Sequence, residues 1–273
     1  MDVLPMASPR TESSSPGRLM LNKVPEITIY FWIIKVLCTT VGETAADYLN
    51  DTLGLGLTKT SLIMGAILVL ALIMQFVTRR YMAGIYWLAV VLLSIVGTLI
   101  TDNLTDNFGV SLVTTTIAFA IALAATFALW YAKERTLSIH SIFTTTREAF
   151  YWLAILFTFA LGTAAGDLVA EQFNVGYLLS LLLFGGLIAV VAVAYYQFKL
   201  NGILAFWIAY ILTRPLGASL GDYLSQPPEA GGLNLGATSI NGVFLLAIVG
   251  LVIFLTVSKR DVTRASYAVP YGS

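Results

Sequence analysis

YFWIIKVLCTTVGETAADYL, residues 30–49, is one of four copies of a single pattern in this chain. Aligned on the tryptophan, the others are IYWLAVVLLSIVGTLITDNL (85–104), FYWLAILFTFALGTAAGDLV (150–169) and AFWIAYILTRPLGASLGDYL (205–224). The tryptophans of the pattern are Trp32, Trp87, Trp152 and Trp207. A glycine follows each by ten residues (Gly42, Gly97, Gly162, Gly217) and an aspartate by fifteen (Asp47, Asp102, Asp167, Asp222). No gap is needed in any copy. Self-similarity of this kind marks a repeat architecture, and it frames every other feature of the chain.

Composition sets the solvent. Of 273 residues, 58% are hydrophobic and 11% charged, and the mean hydropathy is +0.85, the profile of a membrane protein. Lysine plus arginine equals aspartate plus glutamate at 15 each, so no charge excess recruits nucleic acid. Cys38 is the single cysteine, which excludes an intrachain disulfide. Residues 1–24 are rich in Ser, Pro and Arg and lack an apolar core; they are expected to form a disordered cytoplasmic tail rather than a cleaved signal peptide.

Eight apolar runs, near 27–49, 59–78, 82–104, 110–132, 147–170, 176–198, 202–224 and 238–258, match the roughly 20 residues needed to cross a bilayer. In lipid such runs must be helices, because every backbone group needs an internal partner. The predicted fold is an all-α membrane protein of eight transmembrane helices, built as four parallel-oriented two-helix repeats. Tryptophan spacings of 55, 65 and 55 residues divide it into halves. Residues 25–132 hold repeats 1 and 2, residues 147–258 hold repeats 3 and 4, and 133–146 form a cytoplasmic loop between them; 259–273 form a second tail. Twelve of the 15 lysines and arginines fall in the tails or in loops after even-numbered runs, against Lys59 alone on the other face. The positive-inside rule then puts both termini in the cytoplasm. The only histidine, His140, is expected to be solvated in the inter-half loop.

The remaining two cations, Lys35 and Arg214, sit inside odd-numbered runs. Positions four apart share a helix face. The stripe through each aspartate reads Lys35, Thr39, Glu43, Asp47, Asp51 in the first motif helix and Val90, Ser94, Thr98, Asp102, Asp106 in the second. The third gives Ile155, Phe159, Thr163, Asp167, Glu171 and the fourth Tyr210, Arg214, Ala218, Asp222, Gln226. Hydroxyls, carboxylates and both cations thus gather on one face, which cannot look at lipid. The odd helices are therefore placed inside around a shared centre, with the even ones outside. Small residues four apart, such as Gly162 and Gly166, are assigned to close helix contacts. The tryptophans are read as anchors at the membrane interface. The aspartates, about 22 Å along the helix from them, fall in the last turn, where the macrodipole opposes a carboxylate.

Glu43 and the four aspartates against Lys35 and Arg214 leave a surplus of three negative charges. Such a surplus must be met by protons or bound cations. Oxygen-only donors suit Mg²⁺, Mn²⁺, Ca²⁺ or H⁺ rather than zinc or copper. Asp47, Asp102, Asp167, Asp222 and Glu43 are the candidate ligands. Lys35, Arg214, Thr98 and Thr163 are the candidate substrate or proton pathway.

Four tandem two-helix repeats, each carrying the motif tryptophan, resemble a group of bacterial integral membrane proteins defined by a repeat of unknown function. The resemblance covers residues 25–260 and rests on the four Trp-x9-Gly-x4-Asp segments. It implies a bacterial inner-membrane location and the two-helix repeat, and carries no substrate or site residue with it. The residues themselves point to a secondary transporter of a small cation, divalent or proton-coupled, in which residues 25–132 rock against 147–258. A cation channel with an aspartate ring is the near alternative. A scaffold or lipid-binding protein is the non-transporting one. An intramembrane aspartyl protease is disfavoured, because Gly-x-Gly-Asp is absent and four equivalent aspartates exceed the dyad. No enzyme and no cofactor are expected; the partners are membrane lipid and the cation, and nothing in the sequence speaks to oligomeric state.

Overall fold

The motif helices begin where a small polar side chain can take up free backbone N–H groups. Thr28, Thr144 and Asn201 do so ahead of three of them, and Ser111 does so ahead of an outer helix. This computed structural model, which describes residues 22–262, holds eight long helices, four of them with such starts. They are α1 (Ile29–Asp47), α2 (Leu57–Val77), α3 (Ala83–Asp102), α4 (Leu112–Glu134), α5 (Thr145–Asp167), α6 (Tyr177–Phe198), α7 (Gly202–Ser225) and α8 (Ala237–Ser258). All eight are long and apolar enough to cross a membrane, so the chain is a multi-pass membrane protein. Helices α4, α6 and α8 end on Arg135, Lys199 and Lys259, each in the left-handed conformation that closes a helix C-terminus. A cation there also faces the negative end of the macrodipole.

Helices α1, α3, α5 and α7 form a closed ring in which each touches two neighbours. The outer helices are handed on by one place: α2 packs on α3, α4 on α5, α6 on α7, and α8 returns to α1. A sequence repeat is thus not a packing unit, because its second helix serves the next repeat. Between 56% and 78% of each motif-helix span is buried, against 17–22% of each outer span, which leaves the outer helices to face lipid. The last contact in the circle carries a polar link inside the protein. Thr44 Oγ1 donates to Asn241 Oδ1 at 2.6 Å, and Asn241 Nδ2 donates to the Thr44 carbonyl at 3.0 Å.

The motif glycines make the ring tight. A Cβ on Gly42 would run into Ser94, one on Gly97 into Phe159 and the Ala160 backbone, one on Gly162 into Arg214, and one on Gly217 into Thr39. Each glycine therefore lies against the residue seven places after the next repeat's tryptophan. Small residues let membrane helices approach backbone to backbone. Thr101 Oγ1 exploits that approach, donating to the Ala160 carbonyl at 3.0 Å.

The tryptophans do not anchor at the lipid interface as expected. Trp87, Trp152 and Trp207 are buried and Trp32 is half-buried. Each packs on the aromatic residue that precedes the tryptophan of the previous repeat. The pairs are Trp32 with Phe206, Trp87 with Phe31, Trp152 with Tyr86 and Trp207 with Tyr151, at ring separations of 5.8, 5.5, 5.5 and 6.2 Å. An interlocked aromatic circle of this kind needs a large ring at all four places.

Two further expectations change. Three motif helices do not end at their aspartates but run on as π-turns, Tyr48–Thr52, Asn103–Asn107 and Leu168–Gln172, while α7 continues to Ser225. Asp47, Asp102 and Asp167 therefore precede a further turn of helix, while Asp222 sits in the last turn of its helix, as expected. Of the tail expected over 1–24, residues 1–21 lie outside the described residues, as do 263–273 of the other tail. Within the described part, Lys23 is buried and pairs with Glu148 at 2.6 Å. Beyond α8, Asp261 is buried too and accepts from the Tyr81 hydroxyl. The inter-half loop also tucks in: Ile139 and Ile142 are buried, and the Leu137 carbonyl accepts from Trp207 Nε1 at 2.9 Å. His140 stays half exposed, 3.8 Å from a Glu26 oxygen.

Candidate functional site

Helical register stacks the ring interior in layers, because residues at the same distance from each tryptophan share a level along the axis. Nearest the tryptophans lies an aromatic floor of Phe31, Tyr86, Tyr151 and Phe206, all buried. Tyr86 and Tyr151 join hydroxyl to hydroxyl at 2.5 Å, and the rings of Phe31 and Phe206 lie 6.0 Å apart. Above the floor the fully buried Lys35 ammonium lies over the rings of Phe159 and Tyr210, 4.2 Å from each centroid. It makes no hydrogen bond among the described residues.

Arg214 comes next and gathers partners from the other three motif helices. Its Nη1 donates to the Thr39 carbonyl at 3.0 Å, and Nη2 donates to Glu43 Oε2 at 2.6 Å and Thr163 Oγ1 at 2.7 Å. Nη2 also donates to Thr98 Oγ1. The threonines can accept because their own protons go to backbone carbonyls one turn back, Ser94 for Thr98 and Phe159 for Thr163. A rigid, permanently charged fork suits this task better than a lysine would. The following Pro215 has no N–H to give, and its ring packs against Gly162 and Gly166 of α5, whose missing side chains leave room for it.

Outward of Arg214 the carboxylates converge. Glu43, Asp167 and Asp222 each present an oxygen within 4.8 Å of the other two. Asp222 is 6% exposed, and its carboxylate has no hydrogen-bond or ion-pair partner among the described residues. Asp47 and Asp102 border this trio without entering it, and both lie within electrostatic reach of Glu43. Glu171, one turn beyond Asp167, accepts from the Tyr177 hydroxyl at 3.1 Å. Three carboxylates facing one arginine leave more negative charge than the interior neutralises. Their oxygens can hold a proton or a hard cation that competes with Arg214 for Glu43. A cleft of about 290 Å³ exists at the opposite, aromatic end, near Ile27, His140 and Phe206, but none of the carboxylates lines it.

The stripe positions thus divide. Glu43, Asp167, Asp222, Thr98, Thr163 and Arg214 meet; Asp47 and Asp102 flank them; Lys35 lies apart, in an aromatic cage rather than among the acids. Asn103, which directly follows Asp102, turns outward to Ser61 on α2 at 2.8 Å. The cage was not legible as such, although Phe159 and Tyr210 belong to the same stripes. Nor was the Lys23–Glu148 pair, where Gln75 Nε2 also reaches Glu148 at 3.3 Å.

The family model described as Repeat of Unknown Function (DUF347) matches the chain four times, over residues 30–81, 85–136, 150–200 and 205–261. No curated protein and no solved structure matches it.

Proposed function

The chain belongs to that repeat family, whose description assigns no activity, and from the geometry we propose that it is a secondary transporter of a small hard cation. The cation, Mn²⁺ or Mg²⁺ in class, is bound by Glu43, Asp167 and Asp222, with Asp47 and Asp102 contributing charge. The observation that carries this reading is Asp222: a buried carboxylate without a partner, aimed at two others. Burying an unpaired charge is costly, so such a group calls for a bound cation or proton. Oxygen ligands and no accessible sulfur or imidazole favour a hard ion over a soft one.

Arg214 acts as the internal counter-ion. It neutralises Glu43 while the site is empty and yields it to the arriving cation. Exchange of one positive partner for another suits a transporter better than an open pore, and the aromatic floor beneath Lys35 blocks a continuous path. The seams between residues 25–132 and 147–258 carry the Tyr86–Tyr151 and Arg214–Glu43 contacts, and rocking of the halves would break the first as the second is exchanged. By the positive-inside rule the aromatic end, with both termini, faces the cytoplasm, and by resemblance the membrane is the bacterial inner one.

The test is Mn²⁺ binding to the purified protein and ⁵⁴Mn²⁺ flux into proteoliposomes. Wild type is expected to bind and move the ion. Asp222→Asn is expected to lose at least tenfold in affinity, a change of about 1.4 kcal/mol, while keeping its elution profile. Equal binding by wild type and Asp222→Asn, or none by wild type, defeats the proposal. Unitary currents in a planar bilayer would instead identify a channel.

A further inference from the structure

The two core cations differ in what they can do. Arg214 is held by four partners, and its charge is spread over a guanidinium fork. Lys35 has no hydrogen-bond acceptor, and ring faces attract an ammonium without accepting its protons. A proton can therefore leave Lys35 without breaking a hydrogen bond. The ionisable groups around it are Cys38 on its own helix, and Arg214 and Tyr210 on α7. From α5 it meets Phe159; the equivalent positions on α3 and α5 are Val90 and Ile155, and α8 brings only the neutral Asn241, level with Thr44. No carboxylate pairs with it among the described residues, and the Arg214 charge acts on it directly.

We propose that Lys35 is the proton-carrying site of the exchange, a reading that rests on cation binding by the carboxylates. A cation that takes Glu43 leaves the Arg214 guanidinium without its counter-charge, beside the Lys35 ammonium. Repulsion between the two then expels one proton: an N–H bond of Lys35 breaks, the electron pair stays on Nζ within the ring cage, and water admitted as the Tyr86–Tyr151 contact opens takes the proton. One cation enters and one proton leaves, with no change of oxidation state. Arg214 transmits the event, and Lys35 carries it.

The test titrates purified protein in nanodiscs with MnCl₂ in weakly buffered solution, counting bound Mn²⁺ by electron paramagnetic resonance and protons by an indicator dye. Wild type is expected to release about one proton more per bound Mn²⁺ than Lys35→Met, which still binds the ion. Lys35→Arg, which keeps the charge but cannot give up a proton, is expected to show the same deficit, and it decides the matter if Lys35→Met fails to fold. Equal proton counts in wild type and the folded variants overturn the role of Lys35 and leave the carboxylate site standing. A wild type that binds no Mn²⁺ overturns both.

Discussion

Arg214 shows how one residue can organise the whole centre. A single guanidinium from α7 reaches a carbonyl and a carboxylate on α1 and hydroxyls on α3 and α5. Truncating it leaves Glu43 buried without a counter-charge, a loss of roughly 3–5 kcal/mol for a buried pair broken on one side. Arg214→Met is therefore expected to lower the thermal midpoint markedly, and Arg214→Lys to recover only part of it, because an ammonium cannot reproduce the planar fork. Differential scanning fluorimetry in detergent reads both; full recovery by lysine would contradict the multi-partner geometry. The i, i+4 stripes were enough to bring Glu43, Thr98, Thr163 and Arg214 onto one face. They were not enough to separate Lys35 from the acids, since register gives the level of a residue and not the partner a long flexible side chain finds.

Among elements, the motif glycines and the π-turns matter most. A Cβ on Gly97 would sit 3.2 Å from the Ala160 backbone nitrogen, where nothing can swing aside, whereas one on Gly84 meets open space. Overpacking costs typically about 1–3 kcal/mol. Gly97→Val is thus expected to destabilise by that order while Gly84→Ala is near neutral or slightly stabilising, which thermal melts of the pair would show. The π-turns follow the aspartates in three repeats, the place where such local widening is common at functional sites. No residue pattern in the motif announces them, because a π-turn arises when packing stretches the ladder and not from propensity. At the aromatic end, the segments outside the membrane close over the ring. Burial pushes the Asp261 carboxyl up, with the Tyr81 hydroxyl acting against that shift. Its folded form then holds a proton more tightly than the unfolded chain does. Stability should fall as pH rises from the ordinary carboxylate range of about 3.9 through the raised value. Asp261→Asn should flatten that fall of the midpoint above about pH 4, and an unchanged slope would exclude Asp261 as its source.

At the scale of the molecule, the handing-on of outer helices turns four repeats into a closed circle. Because α2 needs α3 and α8 needs α1, one repeat cannot bury its own contact faces, and the circle closes only with all four. Two chains cut between Arg135 and Thr136 keep every helix contact within or between the halves. Co-expressed, residues 1–135 and 136–273 are expected to co-purify as one complex, and each half alone to be lost to degradation. Recovery of a stable single half would show that the halves do not depend on one another. The tryptophans teach the same lesson at this scale. Aromatic residues near a membrane surface satisfy an interfacial role and a packing role equally well in sequence, and only the neighbouring repeat's ring decides between them.

The sequence by itself determined the helices, their number, their fourfold repetition and the face on which polar residues gather. All of these follow from local rules: bilayer thickness sets span length, and 3.6 residues per turn sets the face. Tertiary structure alone decided which repeat each outer helix serves and which of five carboxylates meet. It also settled that Lys35 lies between two rings, and that Lys23 and Asp261 are buried at the chain's ends. Those outcomes depend on contacts between helices, such as Arg214 with Thr163 and Tyr81 with Asp261, 51 and 180 positions apart, and four copies of one motif offer each helix several equivalent partners. Only the closing of the ring selects among them.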